Sequence, residues 1–126
     1  MKFDIKVPLL GFDNLKQVEL KKIDDIFMKM SSCSDEYISF TLINPFVLRE
    51  YDFEVPDKIK DLLEIDEKSN LLILNIVVTQ TPIEKSAINF IGPLIFNTDN
   101  QTAAQIILPD GTKYGVAETI ASFLTK

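Results

Sequence analysis

The sequence of 126 residues contains no histidine and no tryptophan, a single cysteine, Cys33, and only four glycines. Each shortage closes a class of chemistry. Without histidine there is no Ser–His or Cys–His relay, no imidazole zinc ligand and no use of the commonest general base. The glycines, Gly11, Gly92, Gly111 and Gly115, have neither the spacing of a phosphate-binding loop nor that of a dinucleotide fingerprint. A lone cysteine cannot form an intramolecular disulfide, which fits a reducing compartment, and no Cys-x-x-Cys or calcium-loop pattern occurs. No apolar run approaches the roughly 20 residues of a membrane span. Lys2, Asp4 and Lys6 break up the first dozen residues, so no signal peptide and a cytoplasmic location are expected. Basic charge is in deficit: 13 Lys and Arg stand against 19 Asp and Glu, a formal net charge of −6. Such a surface repels phosphate, which disfavours direct nucleic-acid binding, and it attracts a basic partner. The plainer reading of the same charge is solubility. In a cytosolic protein the sequon Asn100-Gln101-Thr102 is chance.

What is present is core material in alternation. Hydrophobic residues make up 46% of the chain and nine are phenylalanine, enough for one core in one domain, residues 1–126, without metal or disulfide staples. Phe3, Ile5 and Val7 alternate with charged residues, Val18 and Leu20 with Gln17 and Glu19, Ile26, Met28 and Met30 with Phe27 and Lys29, and Ile38, Phe40 and Leu42 with Tyr37, Ser39 and Thr41. Asn44-Pro45 breaks that run, and Val47, Arg49, Tyr51 and Phe53 resume it against Glu50, Asp52 and Glu54. Ile59, Leu62 and Leu63 instead follow helical spacing behind Pro56-Asp57, which predicts a short helix ending before Asp66. Leu71 to Val78, interrupted by Asn75, suits a strand covered on both faces. Ile88 to Phe96 is a second apolar run, bent at Gly92-Pro93, where the strand must bulge, lie at an edge or change sheets. Ala104, Ile106 and Leu108 alternate up to Pro109-Asp110-Gly111, a turn signal that makes Thr112 to Val116 the expected hairpin partner. Glu118 to Leu124 reads as a second short helix. The fold class is mainly β: a small single-domain antiparallel barrel, or barrel-like sandwich, of eight or nine short strands with one or two short helices.

Candidate catalytic groups are thin. The pairs Asp24-Asp25, Asp35-Glu36 and Asp66-Glu67 read as solvated turns, since sequence neighbours point apart on a strand. Cys33 lies among Ser32, Ser34 and Asp35, with no base or positive field to form a thiolate, and Lys85-Ser86 reads as surface. A binding protein is therefore expected, with no enzyme activity, no metal and no cofactor. Asn75, Asn89 and Asn97 are polar amides in or beside apolar strands and must find hydrogen bonds. Each either ties down backbone at a kink or shapes a groove for a partner.

The segments Pro8-Leu9-Leu10-Gly11-Phe12-Asp13, then Ser32, Asp35, Phe40, Asn44 and Pro45, then Arg49-Glu50-Tyr51-Asp52-Phe53-Glu54 resemble the flagellar assembly factor FliW family. The most specific piece is Asn89-Phe90-Ile91-Gly92-Pro93-Leu94-Ile95-Phe96-Asn97, followed by Ala104-Gln105-Ile106-Ile107-Leu108 and Tyr114. The sequence departs from the family at Leu9 or Leu10, where a glycine is frequent, and at Gly92, where alanine is frequent. The resemblance implies a compact barrel that binds flagellin and also the RNA-binding translational regulator CsrA, relieving repression of flagellin mRNA until flagellin competes it away. It leaves open an adaptor for flagellin alone. Asp13, Asp35, Glu36, Phe46, Asn89 and Asn97, at loops and kinks beside the family-like segments, are the expected partner-binding residues.

Overall fold

The computed structural model describes residues 1–109 and 111–124. Chain order runs β1 (Lys2–Val7), β2 (Gln17–Lys22), β3 (Phe27–Ser32), β4 (Ser39–Ile43), α1 (Asp57–Leu63), β5 (Leu71–Val78), β6 (Ala87–Ile88), β7 (Leu94–Asn97), β8 (Thr102–Gln105) and β9 (Glu118–Thr119). β1 to β4 form an antiparallel meander, β4 pairs with β5, β5 with β7, and β7 with β8, all antiparallel. β8 returns to β1 in parallel, with Asp4 opposite Thr102, and closes a barrel of seven strands.

The alternation in the sequence sorts side chains into two cores. Phe3, Val18, Leu20, Met30, Leu42, Leu74, Leu94, Phe96 and Ala103 meet inside the barrel, every one of the seven strands contributing. Phe3 and Phe96 pack edge to face, ring centres 5.0 Å apart. The opposite parity of β5, β7 and β8 (Val77, Ile95, Ala104) faces outward and is covered by a second layer: Tyr51, Ile59 and Leu63 of α1, Phe90, Ile106, Leu108, Tyr114 and Ile120. β5 is thus apolar on both faces because both are covered.

α1 starts behind Pro56 with Asp57 in its first turn, buries Ile59 and Leu63, and stops at Glu64, whose φ of 54° is left-handed. The run from Ala87 to Asn97 is one interrupted strand. β6 and β7 both lie along β5, and residues 89–93 bulge between them around Gly92-Pro93. Three expectations are corrected. Residues 47–54 form no strand; β4 ends in a 3-10 turn at Pro45–Val47, capped by Asn44 Oδ1, and the chain then crosses outside the barrel, where no neighbouring strand pairs with it. Thr112 to Val116 is not a hairpin strand, because Ile106 and Leu108 give their N–H groups to Pro93 and Ile91 instead. The short helix expected over 118–124 is confined to a 3-10 helix at Ile120–Phe123, with β9 before it. Asp110 of the expected turn lies outside the described residues; its neighbour Gly111 has φ +86°.

Candidate partner-binding site

One end of the barrel gathers the finish of β1, the start of β2, the β3–β4 turn and the finish of β8. Two turns there are pinned from within. Leu9 and Leu15 are buried in the barrel mouth, and Phe12 N–H and Leu15 N–H donate to Leu9 O and Phe12 O. Gly11 supplies the positive φ of 87° that lets the chain reverse. Leu10 is thereby thrown outward, 81% exposed, its N–H held at 3.1 Å by Gln105 Oε1. Phe12 lays its ring edge-on to Phe40, 5.0 Å between centres. In the β3–β4 turn, Ser32 Oγ accepts from Ser34 and Asp35 N–H, and Asp35 Oδ1 accepts from Tyr37 N–H. Cys33 N–H donates to Gln17 O, tying this turn to β2. The turn presents Asp35, Glu36 and Tyr37 to solvent, Tyr37 at 89% exposure.

The sequence-predicted residues divide. Asp13, Asp35 and Glu36 are exposed at this end, amid exposed Leu10, Phe12 and Tyr37. Phe46 is exposed at the opposite end of β4, its ring 6.2 Å from Tyr51. Asn89 is half-buried; its Oδ1 accepts from Ile91 and Gly92 N–H and so shapes the bulge. Asn97 is 1% exposed; its Nδ2 donates to Leu63 O at the end of α1, and its Oδ1 accepts from Asp99 N–H. Asn75 is fully buried, donating to Tyr51 Oη and Asn89 O across the bulge, while its Oδ1 has no donor in reach among the described residues. Leu10, Phe12 and Tyr37, exposed at the same end, were not among the sequence-predicted residues. Two apolar residues flanking a turn glycine, and a tyrosine among Ser, Asp and Glu, were the available signal.

The remaining polar candidates resolve locally. Asp24 Oδ1 accepts from Phe27 and Ile26 N–H, which holds its carboxyl below the usual carboxylate range, and Asp66 Oδ1 accepts from Lys68 N–H, so both pairs are turn formers. Cys33 is exposed. Ser86, expected at the surface beside Lys85, is buried, accepting Gln80 N–H on its Oγ. No group of three or more Asp, Glu or Cys among the described residues is placed to hold a metal, and no described helix is long and apolar enough to cross a membrane.

Comparison with known proteins is consistent along the whole chain. The family model described as FliW protein matches residues 1–120. The flagellar assembly factor FliW of Sulfurimonas denitrificans is 67% identical over 126 residues, covering all of both chains. FliW 2 of Wolinella succinogenes is 50% identical, over 98% of this chain and 92% of its own. The crystal structure of a flagellar assembly factor FliW superposes with a TM-score of 0.87 over 94% of this chain and 84% of that one, at 22% identity, a likeness of fold.

Proposed function

The chain belongs to the FliW family, and from that premise we propose that it is a cytoplasmic flagellar assembly factor, binding flagellin and antagonising the RNA-binding translational regulator CsrA. The observation that carries this reading is the match over residues 1–120 together with a relative 67% identical from end to end. CsrA held by this protein cannot repress flagellin mRNA; flagellin, once abundant, competes for the protein and releases CsrA. Such a switch needs only overlapping sites or mutually exclusive complexes.

The barrel end supports the reading physically. Exposed Leu10, Phe12 and Tyr37 can bury apolar area, and Asp13, Asp35 and Glu36 around them suit a basic partner. We assign these six as the contact surface. Phe46, exposed beyond the other end of β4, is a second contact region, and a single partner touching both would have to span that strand, roughly 16 Å. Asn89 acts through the bulge it shapes.

Calorimetry with purified flagellin and purified CsrA tests the proposal. Both should bind, and flagellin should lower the affinity for CsrA. Binding of flagellin alone would make the protein a flagellin adaptor with no part in translational control. Binding of neither would leave only the fold. A gel shift with flagellin leader RNA should show nothing from this protein alone.

A further inference from the structure

Between Arg49 and α1, residues 51–55 run like a strand that has no partner among the described residues. Burial alternates along them: Tyr51 is buried, Phe53 and Val55 are half-buried, and Asp52 and Glu54 are exposed. Phe53 sets its ring 5.2 Å from Tyr51, and Phe53 and Val55 rest on the outer core. The side chains are thus disposed as on an edge strand. The backbone is unused. Asp52 N–H donates to Tyr114 Oη at 2.8 Å, and apart from that no N–H or C=O of Asp52, Phe53, Glu54 or Val55 bonds another described residue. A row of open peptide groups is a template for an incoming strand.

This edge borders a groove of about 1010 Å³. Leu108, Pro109 and Thr112 form its far wall, and α1 contributes Asp57 and Lys60. The far wall is short of ladder donors, since Leu108 N–H is taken by Ile91 O and Pro109 has no N–H. Among the described residues the lining is apolar at Phe53, Val55, Leu108 and Pro109, and carries the carboxylates of Asp52, Glu54 and Asp57 against the ammonium of Lys60.

We infer that this groove is a strand-addition site for an extended segment of another polypeptide in which apolar residues alternate with lysine or arginine. In a ladder the partner's side chains stand opposite this chain's on the same face. Its apolar residues would lie over Phe53 and Val55, and its basic residues would meet Asp52 and Glu54. A second copy of this chain is disfavoured, because two such edges would set carboxylate against carboxylate. The acids therefore guard the edge against self-pairing while selecting a basic strand. The site stands or falls whether or not the chain acts in flagellar assembly.

The test is an NMR titration of the isotope-labelled full chain with a capped peptide of alternating lysine and valine. The amides of Phe53, Glu54 and Val55 should shift saturably, and alternate amides along 52–55 should exchange more slowly with solvent. Asp52→Lys with Glu54→Lys, both exposed and outside either core, should keep the wild-type spectrum elsewhere and weaken binding by about tenfold or more. N-methylation of alternate peptide nitrogens should abolish binding, because it removes the ladder while keeping the charge. The inference is overturned if the alternating peptide does not bind, if the methylated peptide or one with lysines and valines in separate blocks binds equally well, if the shifts map away from 51–55, or if sedimentation shows the edge already paired with a second copy.

Discussion

Tyr51 is the residue on which the outer core turns. Its Oη donates to Phe90 O at 2.6 Å and accepts from Asn75 Nδ2 at 3.0 Å, and its ring meets Tyr114, Phe90 and Phe53. Burial pushes its hydroxyl from 10.0 up to about 12, against the smaller opposing pull of Asn75. The native state holds this proton more tightly than the unfolded chain does. Its contribution is therefore complete below pH 10 and lost as pH rises through 12. Urea titrations should show a loss of about 2 kcal/mol across that window, flattened in Tyr51→Phe. At neutral pH Tyr51→Phe should cost about 1–3 kcal/mol, since the Phe90 carbonyl and the Asn75 amide lose a buried partner. Gly92 lies close against the end of the Gln105 side chain. A Cβ there would sit 2.6 Å from Gln105 Nε2, and Gln105 already bonds Gly92 O and Leu10 N–H. Gly92→Ala should cost about 1–2 kcal/mol and speed amide exchange at Leu10, the second effect marking displacement of Gln105. Asn97→Ala should destabilise by a similar amount while leaving calorimetric affinity for flagellin and CsrA unchanged.

Among elements, the segment 114–123 is held by the pairing of β9 with β6 and by buried Tyr114 and Ile120, and one side chain straps it further. The Arg49 guanidinium lies 5.1, 4.8 and 5.2 Å from the ring centres of Phe90, Tyr114 and Phe123, and its Nη1 donates to Glu118 at 3.1 Å. Glu118 Oε2 in turn accepts Gly115 N–H at 2.7 Å. Lysine keeps the charge but has neither the flat face nor the fork. Arg49→Lys should thus loosen this strap, lowering stability by about 1–2 kcal/mol and raising amide exchange at Gly115 and Ile120 while β1 to β4 keep their protection. At the same scale, the alternation from Val47 to Glu54 shows how far a period can be read. It marked Tyr51 and Phe53 as turned inward, but Val47 lies in the 3-10 turn, and the ladder it implied is not formed. Alternation reports which face a side chain takes; pairing depends on what lies alongside.

For the whole molecule, charge and closure matter most. A net charge of −6 spread over the chain favours encounter with a basic partner. Asp35→Lys with Glu36→Lys should slow association with CsrA by about tenfold at low salt, with the difference shrinking as salt rises. Stopped-flow measurement at two ionic strengths checks this, and an unchanged rate would remove both residues from the contact surface. Neither substitution touches a core, but Asp35→Lys removes the acceptor of Tyr37 N–H in the turn, so stability should fall by about 0.5–1 kcal/mol and no more.

The sequence by itself determined the local features: the alternating strands, α1 between Pro56 and Glu64, the bend at Gly92-Pro93, and an apolar β5 covered on both faces. Those follow from side-chain period, proline's missing N–H and helix-end preferences, which act over a few residues. Only the tertiary structure decided that β8 returns parallel to β1, that Leu10 and Phe12 join Tyr37 and the acids at one barrel end, and that 51–55 is left unpaired beside a groove. Each is a matter of which distant backbone groups meet when the barrel closes, and a period of two carries no information about that.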